Sequence, residues 1–243
     1  MIRKFHVFAL LVTCIAAATV ASANTASRKS GSARASIPLN SMEARCPTAV
    51  AEEKRVDMQF YSRRPHEKAP TNPALRTELL QMARKDQEAR IALIQHGMSA
   101  PEYIRRVNEI DAENGKRLKR IFKKYGFPTP EMVGYKGTNA AWLLVQHQDP
   151  TWQRKWLKPI AQLFKRHELS PEEYAMFVDR VRLSEGRKQI YGTQFFNGGV
   201  VMKPTISPGR LDERREALGL IPETEYECIL RAMYSPRQAK VYR

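Results

Sequence analysis

The sequence predicts a mainly α-helical fold, one domain with a bundle-like packing of several helices and a single small β-hairpin near residues 189–203. Apolar residues recur at steps of three and four through most of the chain, which is the period of a helix with one buried face. Proline or a capping residue precedes several of these segments, and glycine follows several, as at helix starts and ends. One stretch rich in strand-forming residues leads into Asn197-Gly198, a typical hairpin turn.

Two long helices are predicted first, over residues 73–95 and 100–125, and a glycine follows each of them. Pro128-Thr129-Pro130 is predicted to block continuation of the second helix beyond Gly126. A third, more apolar helical segment is predicted over residues 139–147. The remaining predicted helices begin at Asp149 or Thr151, at Ser170, at Arg210 and at Glu223.

The N-terminus has the three parts of a secretory signal peptide. Met1-Ile2-Arg3-Lys4 is positive, residues 5–20 are largely apolar, and Ala21-Ser22-Ala23 offers a small-residue cleavage site. A membrane anchor is the alternative, but the apolar run is shorter than the roughly 20 residues that a spanning helix needs. A lipoprotein modified at Cys14 is another, although Thr13 fits poorly before such a cysteine. We therefore predict cleavage after Ala23, a periplasmic or secreted location, and no transmembrane span in the remaining chain.

The predicted mature chain has three parts. Residues 24–40 are small, polar and basic, and predict a disordered tether that buries too little apolar surface to fold. Residues 41–72 are predicted to be an irregular N-terminal segment with a short helix, and residues 73–243 the helical globular domain. Cys46 and Cys228 remain after signal removal. In an exported protein they are expected to form a disulfide, the alternative being two unpaired thiols.

The chain is strongly basic, with 41 Lys and Arg against 25 Asp and Glu and a net charge of +16. In an exported protein this charge favours anionic lipid, lipopolysaccharide or cell-wall material as a partner, or serves only solubility. The basic residues are not interleaved with the aromatic residues of a stacking platform, which argues against a nucleic-acid partner.

Polar residues on apolar helical faces are the candidate site residues. Asp86 lies four residues after Met82 and seven before Leu93, so its carboxylate belongs to the buried stripe of the first long helix. Arg90, one turn further, is placed to pair with it. Because a buried carboxylate needs a partner, the two either form a structural ion pair or line a cleft.

The next two helices carry further candidates. Asp111 and Asn114 lie together beside an apolar stripe and form either inter-helix hydrogen bonds or part of the same cleft. His147 ends the most apolar helix and is either a core or capping residue or a general acid or base, because its ordinary pKa suits proton transfer near neutrality. Asp86 and His147 are therefore the candidate catalytic residues.

Gln194 is a polar group on the partly buried face of the predicted hairpin. The adjacent Arg214 and Arg215 are suited to a carboxylate or phosphate, unless they belong to a solvated charged face. Phosphate-binding, nucleophile-elbow, zinc-protease and paired Cys-x-x-Cys motifs are absent, and the histidines are not at zinc-ligand spacing. The sequence therefore predicts no metal site and specifies no cofactor or oligomeric state.

The chain also resembles a family of uncharacterised bacterial proteins, a domain of unknown function often found on exported or lipid-anchored proteins. The resemblance covers roughly residues 75–225 and brings no established reaction with it. It adds Tyr191 to the candidate ligand-binding residues. The matching stretches are residues 82–90, 111–114, 125–129, 140–147, 179–181, 191–194 and 212–220.

Two functions follow from these observations. In the first, the chain is an exported enzyme or small-ligand protein, and Asp86, His147 and Gln194 lie within one pocket's width. In the alternative, it is a non-enzymatic periplasmic protein that binds anionic envelope components through its basic surface. The residues of the predicted polar cleft are Asp86, Arg90, Asp111, Asn114, His147 and Gln194, with Arg215 nearby for an anion.

Overall fold

The computed structural model describes residues 42–196 and 201–234 and confirms the mainly α-helical fold. Strands β1 (Phe195–Phe196) and β2 (Val201–Met202) pair antiparallel in the predicted hairpin. The predicted signal peptide, the tether and the Asn197-Gly198 turn lie outside the described residues. The helices are α1 (Met42–Arg45), α2 (Pro47–Tyr61), α3 (Pro73–His96), α4 (Pro101–Tyr125), α5 (Pro130–Gln146), α6 (Pro150–Lys165), α7 (Pro171–Ser184), α8 (Leu211–Leu218) and α9 (Glu223–Tyr234), with a 3₁₀ turn at Pro208–Arg210 before α8.

Helix boundaries follow from local chemistry. Helices α2 to α7 all begin with proline, whose missing N–H costs nothing at a position where the helix offers no acceptor. Asn72 caps α3 by accepting a hydrogen bond from the Leu75 N–H, and Ser170 and Glu173 form a reciprocal capping box at the start of α7. Gly126 ends α4 with a φ of 71°, a conformation that favours glycine.

The third predicted helix is longer than the sequence indicated. Helix α4 stops before Pro128-Thr129-Pro130 as predicted, and Pro130 is also the first residue of α5, which runs to Gln146 with one break at Gly134, where φ is 68°. Within residues 41–72 the structure contains α1 and the 15-residue α2.

The main core surrounds α5, which packs against α3 and α4. Trp142 is 1% exposed at its centre, and its indole N–H donates to the carbonyl of Glu173, which ties α5 to α7. Helix α7 packs in turn on α6. Among the described residues, no helix combines the length and apolar composition that a membrane crossing requires.

A second, smaller core holds the N-terminal helices against the end of the chain. The predicted disulfide between Cys46 and Cys228 is present, with a Cα–Cα distance of 6.0 Å. Cys46 and Ala49 pack there with Tyr226 and Ile229 of α9 and with Phe195 of β1. Helices α1 and α2 are therefore held to the domain by a covalent link and by a shared apolar cluster.

Candidate functional site

Four of the predicted site residues meet where α3, α4 and α5 pack together. Asp86 Oδ1 lies 2.9 Å from His147 Nδ1, and Asp86 Oδ2 accepts a hydrogen bond of 3.2 Å from Arg90 Nε. Arg90 Nη2 also donates to Asp111 Oδ1 across to α4. We call Asp86, Arg90, Asp111 and His147 the polar cluster. The structural ion pair between Asp86 and Arg90 is thus present, as part of a larger network.

The end of α5 is held in place by several amide and guanidinium donors. Gln153 Nε2 on α6 donates to the carbonyls of Gln146 and Gln148, each at 2.8 Å, and Arg180 Nη1 on α7 donates to the Gln146 carbonyl. Gln148 Nε2 makes a longer bond of 3.3 Å to the carbonyl of Asp111. These contacts fix the backbone that carries His147.

The polar cluster is almost sealed from solvent. The Asp86 and His147 side chains are 0% and 1% exposed, whereas the Asp111 side chain keeps 24% of its surface exposed. Asn114 lies one turn after Asp111 and is also buried. Of the four side chains in the polar cluster, that of Asp111 is the most exposed to solvent.

Burial and neighbouring charges separate the pKa values of the four groups. Burial alone would raise the pKa of Asp86, but its contacts with His147 and Arg90 hold that pKa well below the ordinary value. Burial raises the pKa of Asp111 to about 6, against the opposing charge of Arg90. Burial lowers the pKa of His147 to about 4, and the charge of Arg90 adds to this effect. At neutral pH the imidazole is therefore uncharged and donates Nδ1–H to the ionised Asp86.

Three buried polar atoms around the cluster have no hydrogen-bond partner among the described residues: His147 Nε2, Arg90 Nη1 and Asn114 Nδ2. Leaving such an atom unsatisfied costs about 1–3 kcal/mol in a folded protein. One of the three is an acceptor in the neutral imidazole, and the other two are donors. A group that bonded to His147 Nε2 would have to donate a proton, whereas one that bonded to Arg90 Nη1 or Asn114 Nδ2 would have to accept one.

Asp86, Asp111 and His147 each place a ligand atom within 4.8 Å of the others, close enough for one metal ion. The guanidinium of Arg90, however, already bonds to both carboxylates. A divalent cation at this point would displace Arg90 or lie beside its charge. The carboxylates already have a cation in Arg90, so these residues fit a site for proton transfer better than a metal centre.

Two further predicted site residues, Tyr191 and Gln194, belong to a second network around Asp179 of α7. This fully buried carboxylate accepts from the backbone N–H groups of Ile190, Tyr191 and Thr193 and from the Thr193 hydroxyl. Gln194 Nε2 donates to the same hydroxyl. Among the described contacts, none joins Gln194 or Tyr191 to the polar cluster.

The guanidinium groups of Arg214 and Arg215 donate to backbone carbonyls and do not form an open site for a carboxylate or phosphate. Arg214 donates to the carbonyls of Ile190, Ile206 and Ser207. Arg215 is 1% exposed, donates to the carbonyls of Tyr191 and Ile221, and lies over the Tyr226 ring at 4.8 Å. These two side chains hold the segment between α7 and α9 in place.

Sequence reasoning did not single out Asp179 or Arg180 outside the family resemblance. Asp179 sits between the apolar residues Val178 and Val181 of α7, the same signal that identified Asp86. Its partners, however, are mainly backbone N–H groups of a loop, and a pattern of side chains in the sequence does not predict such partners. Arg180, next to it on α7, donates to the carbonyl of Gln146, the residue before His147 at the end of α5.

A cavity of about 40 Å³ lies apart from the polar cluster, between α2, α7 and α8. Three carboxylates and one buried guanidinium line it, those of Glu53, Asp57, Glu172 and Arg215. Burial raises the pKa of Glu172 to about 8, and the nearby charges of Glu53 and Asp57 add to the shift. Glu172 Oε1 has no hydrogen-bond partner among the described residues.

Replacing Glu172 by glutamine is expected to stabilise the protein by about 1–3 kcal/mol at pH 9 and to have little effect at pH 4. The pKa of Glu172 is about 8 in the folded chain against an ordinary 4.5, so the wild type loses stability as pH rises from 4.5 to 8, where the unfolded chain releases this proton more readily. Urea denaturation at both pH values measures the difference. Glu113→Gln, at an exposed position, is the matched control and should show no such pH dependence. Equal effects of Glu172→Gln at the two pH values would contradict the assignment.

Comparison with known proteins agrees with the resemblance carried by the sequence. No curated protein and no solved structure matches the chain. A family model described as a family of unknown function, DUF6624, matches residues 73–239, a range that includes the polar cluster and the Asp179 network but begins after α2. With more than half of its length covered by this model, the chain belongs to the DUF6624 family of unknown function.

Proposed function

We propose that the chain is an exported hydrolase, that His147 is its general base, and that its substrate is an anionic component of the cell envelope. The observation that carries the proposal is the unpartnered Nε2 of a buried imidazole whose Nδ1 is held by a carboxylate. An Asp–His pair of this kind fixes the tautomer and leaves Nε2 free to accept a proton from water or a hydroxyl group.

The neighbouring donors give the site a preference for negative charge. Arg90 Nη1 and Asn114 Nδ2 are buried and lack partners among the described residues, so they are suited to an oxygen of a carboxylate or phosphate. Asp111, partly exposed and with a raised pKa, lies where such a group would enter.

An anionic substrate would also make His147 a better base. Its pKa of about 4 is low for a general base at neutral pH, and the charge of Arg90 contributes to lowering it. An anion bound at Arg90 Nη1 would offset that charge and raise the pKa of the imidazole. Substrate binding and activation of the base are thereby coupled.

The location is supported by the sequence of the first 23 residues, which has the order of a cleavable export signal. The disulfide is consistent with it, because such bonds persist in oxidising compartments.

The test has an activity arm and a spectroscopic arm. Purified chain is incubated with isolated peptidoglycan, lipopolysaccharide and anionic phospholipid, and products are detected by mass spectrometry. We expect hydrolysis of one of them, with loss of about 10²-fold or more in His147→Gln and Asp86→Asn. His66→Gln, at an exposed histidine, is the matched control and should retain full activity.

In the spectroscopic arm, ¹⁵N NMR should show His147 neutral with its proton on Nδ1 at pH 7, and added inorganic phosphate should raise its pKa. Absence of any product, or equal turnover by wild type and His147→Gln, would reject the hydrolase. A phosphate-induced shift without turnover would instead identify an anion-binding protein.

A further inference from the structure

The C-terminal part of α4 and the whole of α6 carry positive charge without any acidic residue. Residues 116–125 contain six basic side chains, residues 150–166 contain five, and neither segment contains Asp or Glu. In a chain of net charge +16, these two short segments concentrate much of the excess.

Aromatic packing places the two segments side by side. The Phe122 ring of α4 stacks on Trp152 of α6 at 5.2 Å and meets Trp156 edge-on at 4.6 Å. Exposed basic residues flank this contact on both helices. We call them the basic face: Lys116, Lys119, Arg120, Lys123, Lys124, Lys155 and Lys158.

The charges of the basic face are not neutralised within the fold. Among the described residues, every ion pair uses an arginine or His147 as its cation, and no lysine takes part in one. The lysines of the basic face are exposed and, among the described residues, lie in no ion pair. A partner with closely spaced negative groups would complement them.

The aromatic residues between the lysines indicate what kind of partner this is. Tyr125, Trp152 and Trp156 are partly exposed, and ammonium groups lie over two of these rings, Lys124 over Tyr125 at 4.8 Å and Lys155 over Trp156 at 5.7 Å. Trp and Tyr beside lysine are typical of side chains that sit at the boundary between lipid headgroups and water. Rings packed on one another are poorly suited to stacking with bases, which argues against nucleic acid.

We propose that the basic face docks the protein on the phosphate headgroups of an anionic lipid bilayer. The contact is peripheral: lysines bind phosphates and the partly exposed aromatic rings rest at the headgroup level. This surface is formed by α4 and α6 and does not depend on the reaction proposed for the polar cluster.

The test is co-sedimentation of the chain from Asn24 onward with vesicles of phosphatidylglycerol and phosphatidylcholine, compared with phosphatidylcholine alone. We expect binding to the anionic vesicles only, weakening as salt rises from 50 to 500 mM. The variant Lys119→Glu, Lys123→Glu, Lys155→Glu, Lys158→Glu should lose at least about tenfold in apparent affinity, because each basic residue near such a surface contributes substantially.

A matched control separates this face from overall charge. Lys54, Lys68, Lys85 and Lys188 are also exposed, and changing all four to Glu alters the net charge equally. The control should keep most of the affinity, and glutamine at the four face positions should give an intermediate loss. Equal losses in face and control variants, undiminished binding to phosphatidylcholine, or tighter binding to a short nucleic-acid duplex than to vesicles would each overturn the proposal.

Discussion

Replacing Cys46 and Cys228 by serine is expected to lower the free energy of unfolding by about 4–5 kcal/mol. The bond closes a loop of 182 residues, so its loss frees almost the whole described chain in the unfolded state. The same change releases α1 and α2, which otherwise share a small apolar cluster with α9. Urea denaturation of the wild type and the double variant measures the difference.

Reduction of the wild type provides the control. With dithiothreitol, the wild type should unfold at the midpoint of the double-serine variant, and that variant should not respond to the reductant. If the variant is as stable as the oxidised wild type, the disulfide makes no net contribution and the shared apolar cluster alone holds the N-terminal helices.

Replacing Arg90 by alanine is expected to cost about 3–5 kcal/mol, because it leaves two buried carboxylates without their cation. Asp86 would keep its hydrogen bonds with Gln87 and His147, and Asp111 would lose its bond to the guanidinium on α3. Without the guanidinium, the pKa values of both carboxyl groups rise. A raised acid pKa removes stability as pH rises, so the loss should be larger at pH 8 than at pH 5.

Arg84→Ala is the matched control on the same helix. Arg84 lies on the surface and pairs with the exposed Glu88, so its removal should change stability by less than about 1 kcal/mol. Adding Asp111→Asn to Arg90→Ala should restore part of the lost stability. An Arg90→Ala loss that is small, or equal at pH 5 and pH 8, would show that the carboxylates do not depend on Arg90.

The sequence predicted most strongly those features that depend on neighbouring residues. Pro73, Gly97 and Gly126 delimited two helices because caps and breakers act within a single turn. The pairing of Asp86 with Arg90 followed in the same way from a spacing of four residues on one helix. The prolines after Gly126 correctly predicted that α4 would not continue, but the start of α5 at Pro130 was missed, because proline also fits the first turn of a helix.

Tertiary placement was harder to predict. A polar residue on a buried face indicates that it has a partner but not which one. Gln194 was placed in the predicted polar cleft with Asp86 and His147, and in the structure its side-chain nitrogen donates to the Thr193 hydroxyl beside Asp179. The cavity beside Glu172 could not be predicted for a similar reason. Its carboxylates come from α2 and α7, which are distant in sequence, and they meet because α2 is packed against the domain beside the disulfide.

The polar cluster has a consequence for acid tolerance. His147 ionises at about 4 in the folded chain against an ordinary 6.5, so its contribution to stability fades as pH falls from 6.5 to 4. Asp111 ionises at about 6 against an ordinary 3.8, so its contribution fades as pH rises from 3.8 to 6. Between pH 4 and 6, folding therefore moves a proton from an imidazole to a carboxyl group, and the two linkages act in opposite directions. Mild acidification of the surroundings therefore changes the free energy contributed by this pair less than it would change that of either group alone.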